Sequence, residues 1–243
     1  MGKVVTEIRG AVAIVSFENE GRLNAIDPEI AGGLAQTAAA LAQRSGVGAL
    51  ILRGAGTRAF CAGNDLKFLA QAPSRDAGFA ALTPRIDALR ATMAELPFPT
   101  VAMLHGICYG AGVNLALMAD FRLGDSALKV AIPALKNARY YPPAGIQQVM
   151  RIFGSANAWR MLLAAEALPA ETALACGFVQ QVCPPEQLEA VALEYAARLA
   201  AQPRAMIPTY VKIMRAVERG DLELATRLRE QAISAVAPVK PAR

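Results

Sequence analysis

Apolar and polar positions recur along the chain with periods that assign most of its elements. Val4 to Arg9 and Val12 to Phe17 read as two strands joined by a hairpin turn at Arg9-Gly10. Asp27-Pro28 supplies an N-cap and a proline at the first helical position. Ile30, Leu34, Ala38 and Leu41 then mark one face of a helix running to about Arg44. Ala49 to Leu52 is a short apolar run of the strand type. Leu66 to Ala70 is a short helix start, Gln71 to Asp76 a polar loop, and Ala80 to Leu96 a helix ended by Pro97-Phe98-Pro99. Val101 to Leu104 is a buried strand. Further on, Ser155 caps a helix through Ala165, Pro169 to Ala175 forms another with Gly177 as its stop, and Phe178 to Val182 is a strand. Leu188, Val191, Ala192, Tyr195 and Leu199 repeat at helical spacing up to Gln202-Pro203. Two more helices, about Ala205 to Arg219 and Leu222 to Ile233, flank Gly220-Asp221, and the terminal VAPVKPAR is read as loose.

Two small-residue turns interrupt this pattern. One follows the apolar run at 49–52 and reads Ala59-Phe60-Cys61-Ala62-Gly63-Asn64-Asp65-Leu66. The other follows Val101–Leu104, passes His105-Gly106 and reaches Gly110-Ala111-Gly112 before an apolar helical run that Asp120 closes. The opening N–H groups of a helix have no intrahelical acceptor, so a strand feeding such a turn aims backbone donors at whatever fills it. Two turns of this kind can offer two donors to one oxygen, the arrangement of an oxyanion hole.

The pair AFCAGNDLK and HGICYGAGVNLALMADFR resembles the two signature segments of the crotonase superfamily, the enoyl-CoA hydratase/isomerase family. The similarity runs from about Val4 to Arg219 and takes in RLNAID at 22–27 and FGS at 153–155. The resemblance implies an α/β fold, a crotonase-like spiral of ββα units with a C-terminal helical trimerisation region, divided as a core over 1–200 and helices over 201–243. It implies an acyl-CoA enzyme, a lyase or isomerase of fatty acid metabolism, that stabilises a thioester enolate with the backbone N–H groups of Asn64 and Ala111. The same resemblance lays Arg22 and Ala25 along the coenzyme, with Arg22 facing either a phosphate or solvent, and adds Ala62, Asp65 and Leu66 as coenzyme contacts. It implies a homotrimer or dimer of trimers and no cofactor beyond coenzyme A as part of the substrate.

Hydratases of the family carry two glutamates, and at the matching spacing this chain has Asn114 and Ala134. Neither transfers a proton as a carboxylate does, and each positioned acid or base is worth roughly 10²- to 10⁴-fold. The expectation is a double-bond shift, a decarboxylation, or cleavage of an acyl-CoA whose own carboxylate assists. A hydratase using substitute groups and a non-catalytic acyl-CoA binder are the alternatives. Lys136, Arg139, Tyr140 and Tyr141 follow, and a tyrosine at this distance beyond Pro133 resembles one in family decarboxylases. Tyr140 or Tyr141 is thus a candidate proton donor, with Tyr140 taken first, and Asn114 a candidate polar contact to substrate. His105, the single histidine, reads as a structural hydrogen-bonding group, and Asp65 and Asp120 as turn or helix-end partners.

Composition narrows the setting. Cys61, Cys108, Cys176 and Cys183 show neither metal-site spacing nor a disulfide framework, so reduced buried thiols and no metal are expected. Twenty-five Lys and Arg against 20 Asp and Glu leave a formal charge of +5, which suits an anionic small molecule; no basic cluster with interleaved aromatics suggests nucleic acid. No apolar run reaches the roughly 18 residues of a membrane helix, and MGKVVTEIRG lacks an apolar signal region, so a cytoplasmic protein is expected.

Overall fold

The computed structural model describes residues 2–19, 21–138 and 140–235, so the expectations for Arg139 and for the terminal VAPVKPAR lie outside the described residues. Strands β1 (Lys3–Arg9) and β2 (Val12–Glu18) pair antiparallel across Gly10, whose φ of +60° fits the turn. β2 continues in parallel into β3 (Ala49–Gly54). The remaining partners in this sheet come from later in the chain. Between β2 and β3 lies α1 (Pro28–Ala42), capped by the Asp27 carboxylate, which accepts from the Ile30 N–H at 2.8 Å.

After β3 the chain makes three similar circuits. The first is β4 (Ala59–Cys61) with α2 (Leu66–Gln71) and α3 (Arg75–Ala94); the second is β5 (Thr100–Leu104), β6 (Ile107–Tyr109) and α4 (Ala111–Ala116). The third is β7 (Phe121–Asp125), β8 (Lys129–Ala131) and α5 (Pro143–Leu162). Then come β9 (Leu168–Pro169), α6 (Ala170–Ala175), β10 (Gln181–Cys183), α7 (Leu188–Ala200), α8 (Ile207–Glu218) and α9 (Leu222–Ala235). β3, β5 and β7 lie in a six-stranded sheet ordered β1-β2-β3-β5-β7-β10, and the strand that follows each of them, β4, β6 and β8, lies in a four-stranded sheet ordered β4-β6-β8-β9. Apart from the β1–β2 and β8–β9 pairs, the named strand pairs are parallel. The result is a spiral of ββα units.

The inner strands β2, β3 and β5 of the large sheet are buried on both faces, which is why they read as apolar runs. Alternate residues of β2 serve opposite sides. Ala13, Val15 and Phe17 join the core containing Leu34 and Ala38 of α1, whereas Val12 and Ile14 join a second core with Leu188, Ala192 and Ala196 of α7.

Several boundaries differ from the sequence reading. α3 begins at Arg75 because the Ser74 hydroxyl accepts from the Ala77 N–H at 3.1 Å, and it continues through Pro84. α4 ends at Ala116 and gives way to tighter turns, with Met118 N–H bonded to Leu115 O and Ala119 N–H to Ala116 O. α5 starts at Pro143, well before Ser155, and is kinked at Gly154 (φ +76°, ψ +157°). β10 starts three residues later than the expected strand at Phe178.

A helical hairpin, α8 and α9, follows the core and turns at Gly220 (φ +81°). Arg215 fastens it most extensively, beside a 2.6 Å bond from Arg151 to the Glu218 carbonyl. Arg215 makes two 2.7 Å bonds to the Asp120 carboxylate and donates to the carbonyls of Leu96 at 2.8 Å and Ala94 at 3.2 Å. Asp120 in turn accepts from Thr100 N–H and Oγ1, each at 2.8 Å. The helix-end role expected of Asp120 is therefore that of an anchor between β5 and α8. Among the described residues, no helix is long and apolar enough to cross a membrane.

Candidate active site

The first small-residue turn is held by the loop that follows β2. Ala62 N–H donates to Leu23 O (3.0 Å), Ile26 N–H to Gly63 O (2.7 Å), and Asp65 N–H to Ile26 O (2.8 Å). Leu23 and Asn24 both adopt left-handed backbone, φ +51° and +57°. The Asn24 amide secures that conformation by donating to the carbonyls of Ala55 and Ala59 at 2.9 and 2.8 Å. Gly63 has φ +109°, a value that L side chains resist. Within this bonded frame the Asn64 N–H has no protein acceptor among the described residues.

In the second turn, Gly110 (φ +53°) donates its N–H to Ala131 O at 2.8 Å, and its carbonyl accepts from Val113 N–H at 3.0 Å. The N–H of Ala111, the first residue of α4, is likewise without a protein acceptor among the described residues. The two turns lie together. A Cβ built on Gly63 would stand 3.6 Å from the Ala111 nitrogen, and one on Gly110 would stand 3.9 Å from the Gly63 Cα. Gly112 packs so closely on β4 that a Cβ would meet the Cys61 carbonyl oxygen at 2.5 Å. Small residues here bring one turn's backbone up to the other's.

Both turns open onto a cavity of about 280 Å³ whose lining includes Asn64, Ala111, Asn114, Ala134, Tyr140 and Tyr141. Helix α3 contributes Leu82, Ile86, Asp87 and Arg90. Tyr141 and Asn114 form a pair, the phenol donating to Asn114 Oδ1 at 2.7 Å. The Tyr140 side chain, by contrast, is 98% exposed. Of the two tyrosines it is the second that engages the residue one turn into α4. Burial, the largest influence, pushes the Tyr141 phenol above its ordinary value against the opposing pulls of Asn114 and Arg90. Ala134 presents only a methyl group. Asp87, the one carboxylate among the described lining residues, is bound to Arg90 at 3.0 Å. The Asn64 Oδ1 is buried without a donor among the described residues.

The residues expected along the coenzyme cluster around one carboxylate. Asp65, with its side chain 1% exposed, caps α2 by accepting from Lys67 N–H (2.9 Å) and Phe68 N–H (3.1 Å). It also accepts from the Asn19 amide at 3.1 Å and from the Arg22 guanidinium. Burial alone would raise this carboxyl; the Arg22, Phe68 and Asn19 bonds outweigh it and hold it below the ordinary value. Arg22 is thus tied to Asp65 while remaining about a third exposed. Ala25 is buried beside them, its carbonyl accepting from Asn19, and Leu66 is 60% exposed next to Ala62 at the cavity.

The other candidate groups stand back from this site. Cys61 and Cys108 face each other across the β4–β6 pair, fully buried, and burial pushes the Cys61 thiol up to about 12. Both thiols stay protonated and are poor nucleophiles. His105 is buried beside hydrogen-bonding backbone groups of Met103 and Ala59, although neither ring nitrogen has a partner of good geometry among the described residues. Burial lowers its imidazole against the pull of Asp125. The Tyr141–Asn114 pair is the feature that sequence reasoning left unjoined, since its members are 27 positions apart and no local period links them.

Residues 7–239 match the family model described as enoyl-CoA hydratase/isomerase. The (E)-benzylidenesuccinyl-CoA hydratase of Thauera aromatica is 29% identical over 198 residues, covering 82% of this chain and 76% of that protein. The solved structure of Pseudomonas aeruginosa DspI is 28% identical with a TM-score of 0.86, over 97% of this chain and 90% of that one. An enoyl-CoA hydratase/carnithine racemase from Magnetospirillum magneticum is 25% identical with a TM-score of 0.82, over 90% and 85% of the two chains.

Proposed function

The chain belongs to the enoyl-CoA hydratase/isomerase family, and we propose that within it the protein is a lyase that forms a thioester enolate by breaking a bond to the α carbon. The thioester oxygen sits between the Asn64 and Ala111 N–H groups, and Tyr141 protonates the carbon. What carries this reading is the cavity wall itself. Asn114, Ala134 and Tyr141 present no free carboxylate to abstract a proton or activate water, whereas a partly buried phenol is present as an acid. A reaction in which the enolate arises by departure of a group needs no base.

For a β-carboxyl thioester the carboxylate leaves as carbon dioxide, and the C–C bonding pair passes into the enolate, whose oxygen the two N–H groups hold. The Tyr141 O–H proton then moves to the α carbon. The phenolate left behind is re-protonated from water. Asn114, whose amide offers an N–H when rotated, steadies that phenolate. Each backbone donor to the enolate oxygen is worth roughly 10²- to 10³-fold in turnover. The reaction uses no group beyond the coenzyme A of its substrate.

The test is carbon dioxide release from malonyl-CoA and alkylmalonyl-CoA thioesters, run beside loss of the conjugated absorbance of crotonyl-CoA. Decarboxylation without hydration is expected. Hydration at a rate ordinary for hydratases, without carbon dioxide release, would overturn the proposal. That outcome would favour a second reading, a hydratase with substitute groups, which the 29% identity to (E)-benzylidenesuccinyl-CoA hydratase supports. Assembly as a trimer through the 201–243 region belongs to the same proposal, supported by Met206, Tyr210 and Met214, spaced by four and each about 60% exposed along α8.

A further inference from the structure

The site cavity meets a larger cleft, of about 1140 Å³, that runs between α4, α5 and the end of α8, and Arg90 and Asn114 are the described residues that line both. Arg90 arrives there on the face of α3 that carries Leu82 and Ile86, at intervals of four. Asn114 stands one turn into α4, three residues after the donor Ala111, a rise of about 4.5 Å along the helix.

Both groups offer donors. The Asn114 Oδ1 is occupied by the Tyr141 hydroxyl at 2.7 Å, which fixes the amide and leaves its Nδ2 without an acceptor among the described residues. Arg90 Nη1 is bonded to Asp87 at 3.0 Å, but each side chain of that pair is 58% exposed, and such pairs contribute little. The other donors of the guanidinium have no acceptor among the described residues. The cleft behind leans positive: the Arg215–Asp120 and Arg151–Glu218 pairs cancel, and Arg219 adds a cation with no acidic partner among the described residues.

We propose that Arg90 and the Asn114 amide hold a carboxylate carried by the substrate's acyl group, so that the enzyme selects thioesters of dicarboxylic acids over monocarboxylic ones of the same length. The proposal rests on reading the adjoining cavity as the thioester site. A pair that offers donors and no free acceptor recognises an anion, and a guanidinium beside a planar amide suits the two oxygens of a carboxylate. The anion belongs to the acyl side of the substrate. One helical turn from the Ala111 N–H is the reach of a few carbon–carbon bonds beyond the thioester carbonyl, whereas the phosphates of coenzyme A lie at the far end of the pantetheine arm. When a β-carboxylate departs as carbon dioxide, its charge passes to the enolate oxygen, so the contact with Arg90 is made in the bound substrate and lost in the transition state. Its effect is therefore read in binding.

The experiment measures by calorimetry the affinity of the whole protein for succinyl-CoA and butyryl-CoA, thioesters of equal chain length that end in a carboxylate and a methyl group. Loss of carbon dioxide from succinyl-CoA gives no thioester enolate, so the comparison is independent of turnover. Hydrogen bonds between charged groups contribute on the order of tenfold or more. The native protein should accordingly bind succinyl-CoA at least about tenfold more tightly than butyryl-CoA, and added salt should narrow the gap. Arg90→Met should bring the ratio close to one. Asn114→Asp keeps an acceptor for Tyr141 but replaces the amide donor by a negative charge, and should invert the preference.

Equal affinities in the native protein, with both thioesters bound, would overturn the carboxylate site and leave the thioester site standing. A preference for succinyl-CoA that survives Arg90→Met, including one in which both ligands weaken alike, would also overturn it. Failure of both thioesters to bind would overturn the underlying reading and this one with it.

Discussion

Replacing Tyr141 by phenylalanine separates its chemical role from its structural one. The ring stays, packed against Gly145, where a Cβ would meet Tyr141 Cε1 at 2.6 Å; only the hydroxyl and its 2.7 Å bond to Asn114 are lost. One such bond contributes about 1 kcal/mol, so unfolding by urea should shift by no more than that. A positioned proton donor is worth roughly 10²- to 10⁴-fold, so turnover should fall at least a hundredfold with the substrate dissociation constant unchanged. The assay is decarboxylation of methylmalonyl-CoA in deuterium oxide, with the configuration of the labelled propionyl product as a second readout. The native enzyme should deliver deuterium to one face, and the variant should give a racemic product through protonation by solvent. A turnover loss below about tenfold, with one face still labelled, would refute the assignment.

Other perturbations follow from the same geometry. Gly145→Val should displace the Tyr141 ring and reproduce the loss of turnover, and turnover equal to the native enzyme's would show that the ring position is immaterial. Because burial raises the Tyr141 phenol, the acid stays protonated up to its ordinary value near 10 and beyond. The rate should show no decline from this group at neutral pH and should fall only on the alkaline side; an alkaline limb below that value that Tyr141→Phe abolishes would contradict this. Asp65 has a lowered folded value, so its contribution to stability is present above the unfolded value of about 3.9 and is lost as pH falls through the lowered one. Asp65→Asn should therefore flatten the acid side of the stability curve, which thermal melts across that window measure. Arg215→Met removes one partner of a nearly buried pair, and urea unfolding should show a loss of about 3 kcal/mol, at the low end for such pairs because Thr100 continues to satisfy Asp120.

The long elements were legible because their cause is local. α1 announces itself through Asp27-Pro28 and the spacing of Ile30, Leu34, Ala38 and Leu41, and β2, β3 and β5 through apolar runs. The second sheet was not legible, since β4, β6 and β8 are three residues each, too short for a period to declare itself. The early start of α3 was hidden because Arg75 and Asp76 are polar and Pro84 interrupts the pattern, yet Ser74 caps it and Leu82, Leu89 and Met93 bury one face. Both donor turns could be named from their glycines, but not their approach, which depends on Gly112 packing against Cys61. Which tyrosine faces inward was likewise beyond the sequence. A tight helical turn at Leu135–Asn137 followed by left-handed Ala138 (φ +51°) precedes the pair, and burial together with the contact to Asn114 distinguishes Tyr141 from its exposed neighbour.

The claim on which the rest depends is that the Asn64 and Ala111 N–H groups together polarise a thioester carbonyl. Infrared difference spectroscopy of a bound acyl-CoA carrying ¹³C at that carbonyl reads this directly, without reference to which reaction follows. Ala111→Pro is the matching variant, because Ala111 is the first residue of α4, where proline's backbone is tolerated; it removes the N–H and sets a ring methylene where that hydrogen pointed. The account predicts that the carbonyl stretch of the bound thioester moves to lower frequency than in water, and that Ala111→Pro returns it most of the way while the ligand stays bound. A bound thioester with the same stretch as in solution, or one whose shift survives Ala111→Pro intact, would contradict it.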